Sequence, residues 1–255
     1  MSIPIQDQRR AIRSLIVPRD PGDARTAYYA LQHDARRTTL TLHRTGTGHV
    51  NGFLGTCITG SNPFQPLVVL RAFGPGTLEA LIHKALTPGR SYLFSVPMYI
   101  GADLEGMLTL SEAVTWRILR TDASRFQPLI NVLVTQERSP EGRPRWQIRT
   151  QERIIAAAGV NWQSRRWAEV YVAAESAACT RRWDESVLSA ATAALLAEGV
   201  TPLYLVAQGD SRAQRVAEAL GYHDSGAREF TCVGTVPRKG DFSRWPGARH
   251  EDDAQ

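Results

Sequence analysis

Apolar and polar positions change period several times along this chain, and each change marks an element. From Thr38 to His43 they alternate, Thr45-Gly46-Thr47-Gly48 supplies a turn, and Val50 to Ile58 reads as a second strand. Gly60-Ser61-Asn62-Pro63 breaks it, and Pro66 to Leu70 is a short, fully apolar strand. Leu78, Leu81, Ile82 and Ala85 then fall at i, i+3, i+4 and i+7, which predicts a helix opened by Gly74-Pro75-Gly76 and closed by Pro88-Gly89. Ser91 to Val96 is the strand after it. Ahead of these elements, residues 1–24 are polar with Pro18 and Pro21 and read as an extended entry segment. Residues 25–36 carry a short helical pattern around Ala27, Leu31 and Ala35.

The second half runs through a similar order. Leu129 to Gln136 reads as a strand, Ser139-Pro140-Glu141-Gly142 as a turn, and Arg145 to Thr150 with Arg153 to Val160 as the returning strands. Ala168 to Val172 is a strand, followed by a loop and a helix from about Trp183 to Ala197 that ends at Glu198-Gly199. Leu203 to Val206 is the next strand. Asp210-Ser211 is an N-cap for a helix whose Ala213, Val216, Ala217 and Leu220 form one face. Leu220-Gly221-Tyr222 stops it, and Glu229 to Val233 is a last strand. The segments at 86–93 and 196–205 each lead an amphipathic helix into a strand through a Gly/Pro turn. This points to a duplicated unit, with lobes at 1–126 and 127–237 and a polar, disordered tail at 238–255.

Composition narrows the classes. A chain of 255 residues that is 43% hydrophobic and 22% charged is globular rather than disordered. No apolar run approaches the roughly 18 residues of a membrane span, and residues 1–20 lack a secretory leader pattern. Cys57, Cys179 and Cys232 lie far apart, which excludes a disulfide framework and fits a reducing, cytoplasmic setting. The net charge of +5 invites a nucleic-acid partner, but Lys84 and Lys239 are the only lysines, and the arginines are scattered among 25 acids rather than gathered on one stripe. The histidines show no metal spacing, so no metal is expected.

One run carries a resemblance. Asp210-Ser211-Arg212-Ala213 leading to Ala217-Glu218-Ala219-Leu220-Gly221-Tyr222 resembles the Asn-x-x-Ala helix ending in Leu-Gly-Phe or Leu-Gly-Tyr of the GNAT superfamily of acyl-CoA-dependent N-acetyltransferases. Leu203 to Val206 fits that family's fifth strand and Ala168 to Val172 its fourth, so the likeness is best over 130–233. It implies an α/β architecture, an α+β mixed sheet in two tandem GNAT-like lobes. In that fold the fourth and fifth strands splay, and their unpaired backbone groups bond a pantetheine arm. The helix after the fourth strand turns its free N–H groups and positive dipole end to a pyrophosphate.

The family's Gln/Arg-x-x-Gly-x-Gly/Ala phosphate loop is altered here. Cys179-Thr180-Arg181-Arg182-Trp183-Asp184-Glu185-Ser186 has no glycine and places two carboxylates where phosphates would sit. Asp184 and Glu185 also suit the first turn of a helix with no phosphate, whereas Arg181 and Arg182 suit phosphate contacts. The resemblance implies acetyl-CoA binding through Val170, Val172, Arg181, Arg182, Trp183, Asp184, Ser186, Asp210 and Ser211. A rival loop, Arg71-Ala72-Phe73-Gly74-Pro75-Gly76, reads first as a structural turn.

Transfer to an amine needs a base and an acid for the leaving thiolate. The family's usual tyrosine position in the last helix is Ala217 here. Glu169 is the candidate base and Glu175 a weaker one. Tyr171 and Tyr204, on the two splaying strands, are further catalytic candidates beside a packing role, and Tyr222 reads as packing. Cys179 has no histidine partner and reads as an inert thiol. Trp162 and Trp167 read first as packing and second as the lining of a ligand cleft. The leading expectation is N-acyl transfer from acetyl-CoA to a small-molecule or protein amine, in a chain compatible with a homodimer. The alternative is an acyl-CoA-binding or regulatory module without catalysis.

Overall fold

The computed structural model describes residues 3–60, 64–139, 142–151 and 153–238. Ser61-Asn62-Pro63, Pro140-Glu141 and the expected disordered tail beyond Arg238 lie outside the described residues. In chain order the elements are α1 (Ile5–Ile12), α2 (Ala24–Ala27), β1 (Thr38–Arg44), β2 (Val50–Cys57), β3 (Leu67–Ala72), α3 (Thr77–Ala85), β4 (Ser91–Pro97), α4 (Met98–Glu105) and β5 (Thr109–Arg120). They continue with β6 (Thr135–Arg138), β7 (Pro144–Thr150), β8 (Arg153–Gln163), β9 (Trp167–Ala174), α5 (Ser176–Thr180), α6 (Trp183–Ala197), β10 (Thr201–Ala207), α7 (Ser211–Ala219) and β11 (His223–Thr235). A π-helical turn, Tyr28–Gln32, extends α2.

Two compact units divide the chain, and they do not follow a linear cut near residue 126. The first takes residues 3–15, 35–113 and 230–238; the second takes Ile16–Asp34 and Val114–Glu229. β5 and β11 are therefore each divided between units. The order β2-β3-α3-β4-α4-β5 recurs as β8-β9-α6-β10-α7-β11, apart from the short α5, and the strands flanking the first helix of each set, β3/β4 and β9/β10, pair in parallel.

In the first unit the strand order is β1-β2-β3-β4-β11. Leu81 and Ile82 of α3, Leu104 of α4 and Cys232 of β11 pack with Leu54, Val68, Leu70 and Phe94 in one core. The expected extended entry is instead partly helical, because Ile5 and Ile12 lie seven residues apart and Ile12 is buried. Five intervening polar residues hide that period from a reading of the sequence.

In the second unit the order is β11-β5-β10-β9-β8-β7-β6. α6 buries Val187, Leu188, Ala191 and Leu195, and α7 buries Val216 and Ala217, against Ala156, Ala158, Ala168, Val170 and Val206. Each large aliphatic side chain so buried contributes about 1.5–3 kcal/mol. Because strand side chains alternate, Val170, Val172 and Ala174 face these helices while Glu169 and Tyr171 point to the opposite face. The expected strand from Leu129 to Gln136 shrinks to Thr135–Arg138, since only those residues pair with β7. α7 ends as expected at Gly221, whose φ of +84° suits glycine and whose missing Cβ leaves room for the Arg125 carbonyl. No described helix is long and apolar enough to cross a membrane.

Candidate functional site

The second unit holds a gap between two strands. β9 and β10 pair in parallel from Thr201 opposite Trp167 to Tyr204 opposite Val170, and among the described residues the pairing stops there. Yet β9 runs on to Ala174 and β10 to Ala207. Each strand is held from its outer side: β8 pairs with Tyr171 through Ala174, and β5 with Leu205 through Ala207. The facing edges thus keep backbone donors and acceptors aimed into the gap, where an extended chain can bond them. A bulge between Val160 and Trp162 of β8 shifts the register where the β9–β10 pairing ends.

Beside the gap lies a cavity of about 260 Å³. Val172 and Ala174 of β9, with Ala213 and Val216 of α7, form its apolar wall, and Tyr204 of β10 and Cys179 of α5 add polar tips. Its charged groups are Asp184, Asp210 and Arg212. Asp184 is 5% exposed and ion-paired with Arg212. The Arg212 cation is favoured beyond its ordinary range by its bond to Cys179 and then by Asp184. Asp210 caps α7, its Oδ1 accepting from the Ala213 N–H at 2.9 Å. Burial, reinforced by the charges of Asp210 and Asp184, pushes the Tyr204 phenol up to about 12, so it is protonated at neutral pH.

The expected phosphate loop is folded on itself. α5 fills part of it, and Arg182, the residue before α6, takes a left-handed backbone with φ +58°. The Arg182 guanidinium donates to both oxygens of Glu185, at 3.0 and 2.6 Å. Arg181 lies over the Trp183 ring, 4.8 Å from its centroid. The Ser186 hydroxyl donates to the Arg182 carbonyl at 3.0 Å. Ser211 opens α7 at the surface, and Val170 is buried in the core. Of the residues expected to hold the donor, Val172, Asp184 and Asp210 line the cavity, together with the catalytic candidate Tyr204. Arg212 and Cys179 line it as well. Arg212 stood in the Asp-Ser-Arg-Ala run as an unspecified position, and its place beside an N-cap aspartate was the signal for it.

Glu169 is placed differently from a free base. It accepts from Arg25 Nε at 2.9 Å and Nη2 at 2.6 Å, from Asn161 Nδ2 at 2.7 Å and from Trp162 Nε1 at 2.6 Å. Three of these donors converge on Oε2 and one reaches Oε1, so both oxygens are held by the protein. Arg25 also pairs with the buried Glu229. Burial disfavours the Arg25 cation, but the two carboxylates more than offset this and raise its pKa. Tyr171 lies on the same strand face, its ring over Gly159. Trp162 packs against Tyr28, with ring centroids 5.4 Å apart, and Trp167 donates to the Pro18 carbonyl. Glu175 pairs with Arg153 at the surface. Tyr222 is buried, its hydroxyl 2.6 Å from that of Thr192.

In the first unit the rival loop is a satisfied turn. The Asn51 amide and the Thr77 hydroxyl both donate to the Phe73 carbonyl, and Gly74 and Gly76 take positive φ.

No family model and no curated protein matches the sequence. Solved structures do match in fold. The chain is similar to a GCN5-related N-acetyltransferase from Kribbella flavida, at 16% identity and TM-score 0.60, over 83% of this chain and 95% of that one. It is similar to another from Sphaerobacter thermophilus, at 11% identity and TM-score 0.59, over 92% and 95%. It is also similar to a tandem GNAT protein from the clavulanic acid biosynthesis pathway, at 12% identity and TM-score 0.56, over 92% and 96%. These likenesses are of fold, and this chain has the GNAT fold.

Proposed function

We propose that the second unit transfers an acyl group from a pantetheine thioester, acetyl-CoA in the simplest case, to an amine. The observation that carries this is the gap between β9 and β10 with its adjoining cavity: two strand edges, each held from outside, offer backbone partners to an arm of amide groups. The carbon–nitrogen bond forms as the carbon–sulfur bond breaks, and the departing thiolate needs a proton. Tyr204 supplies it, because its phenol lines the cavity and burial keeps it protonated. The proton lost by the attacking nitrogen returns to the phenolate through water. Glu169 has no part in this reading.

Calorimetric titration with acetyl-CoA tests the donor site: saturable heat is expected, and its absence at high ligand overturns the reading. Tyr204→Phe is expected to bind the donor unchanged and to lose roughly 100-fold or more in turnover. A variant with full turnover removes Tyr204 from the mechanism. A second reading, a donor-binding module without turnover, draws on Glu169, whose two oxygens are held by Arg25, Asn161 and Trp162, and on Ala217 where the family's tyrosine would stand. Donor binding without release of free thiol across a panel of amines selects it.

A further inference from the structure

Resting on the donor-site reading above, we infer that the cavity recognises its donor by the pantetheine arm and leaves the nucleotide unread. A thioester lacking the 3′-phospho-ADP then serves as well as acetyl-CoA. Three observations lead there. The part of the cavity next to the strand gap is apolar, with Val172, Ala174 and Val216 in its wall, which suits a neutral arm. The charged part carries two carboxylates, Asp184 and Asp210, against one cation, Arg212. A diphosphate entering there must either sit beside two anions or take Arg212 from Asp184 and leave a buried carboxylate unpaired.

The third observation is the end of α6. No glycine stands between Cys179 and Ser186 to let phosphate approach the backbone. The positive end of the helix is already met by Asp184 and Glu185 of its own first turn, and Arg182 is committed to Glu185. Arg181, set over Trp183 rather than on a carboxylate among the described residues, is the cation that one phosphate can take without breaking an ion pair. The ligand chemistry that fits is a pantetheine thioester with at most a single phosphate contact. Its source is either a free cofactor or an arm borne on a carrier protein.

Cys179 lines the cavity and reports its occupancy through protection from alkylation, independently of turnover. In the full-length protein, acetyl-CoA and S-acetyl-4′-phosphopantetheine are expected to half-protect Cys179 at concentrations within about threefold of each other. Protection by acetyl-CoA at concentrations roughly 30-fold lower or more overturns the inference and leaves the donor site intact. Protection by neither overturns the donor site itself. Asp184→Asn is expected to lower the half-protecting concentration of acetyl-CoA about tenfold and to leave that of S-acetylpantetheine unchanged. An unchanged acetyl-CoA value overturns the role given to Asp184. An acetylated carrier protein completes the series: protection by it names the borne arm as the source, protection by the free thioesters alone names the free cofactor, and either result upholds recognition by the arm.

Discussion

Arg25→Met removes a cation shared by two buried carboxylates. Arg25 comes from the segment Ile16–Asp34, Glu169 from β9 and Glu229 from β11, so the cluster ties together residues 144 and 204 positions apart. Methionine refills much of the space of the arginine stem, which makes the lost charge the main perturbation. Stripping the partner from a buried ion pair costs about 3–5 kcal/mol. In a chain of this size each kcal/mol corresponds to about 2–4 °C, so the melting temperature should fall by roughly 6–20 °C. In the variant the two carboxylates stay buried without the cation, and protonating them relieves the uncompensated charge, so the deficit against wild type should shrink between pH 7.5 and 5. Arg25→Met combined with Glu169→Gln and Glu229→Gln removes the orphaned charges and should recover most of the loss. Calorimetry of the wild type and these two variants across pH measures all of this. A single variant within about 1 kcal/mol of wild type, or a triple variant no better than the single one, refutes the reasoning.

Three further outcomes follow from burial and backbone geometry. Cys57 and Cys232 are 0% exposed and burial pushes their thiols up to about 11, so at pH 7.5 only roughly 3 in 10,000 of each is thiolate. Iodoacetamide should therefore label the native protein once, at Cys179, and the unfolded protein three times; mass spectrometry showing a second native site contradicts this. The same raised values make folding alkali-sensitive: the contribution of Cys57 is fully present below about pH 9 and is lost as pH rises towards 11, with Tyr204 adding to the loss above pH 10. The urea midpoint should fall steadily over that range, and a flat profile rules the argument out. Gly221→Ala should cost about 2–4 kcal/mol, since the residue sits at φ +84° with the Arg125 carbonyl where its Cβ would be; a loss under about 0.5 kcal/mol in urea unfolding refutes it.

The elements legible in the sequence were those whose signals are local. The helix expected from about Trp183 to Ala197 spans those residues in the structure, and Asp210 caps α7 as its neighbours predict, because period and cap chemistry act within one turn. The missed elements depend on distant partners. Leu129, Val132 and Val134 pack on the core while Ile130 and Leu133 are exposed, so the segment is anchored by side chains with no strand ladder among the described residues. Met98–Glu105 and Thr109–Arg120 drew no prediction. The division into units could not be read along the chain, because Ile16–Asp34 joins the second unit through contacts such as Arg25 with Glu169. The ion pair that holds the candidate base Glu169 was hidden for the same reason. Nothing near residue 169 announces an arginine 144 positions earlier.

Magnitudes separate that structural cluster from the ion pair in the cavity. Arg25 is largely buried with both its carboxylates, so each charge depends on the others. The side chain of Arg212 is 52% exposed, and a pair with so wet a partner contributes no more than about 1 kcal/mol. That gain does not exceed the cost of keeping Asp184 out of water, which is of order several kcal/mol. Asp184 therefore adds little to the fold on balance, and Asp184→Asn should leave the second unit stable enough to assay. A buried carboxylate that contributes little to stability still sets the charge that any donor meets. Under the donor-site reading proposed above, it is an anion where the GNAT pattern has a glycine loop, which would penalise phosphate and leave a neutral arm unaffected.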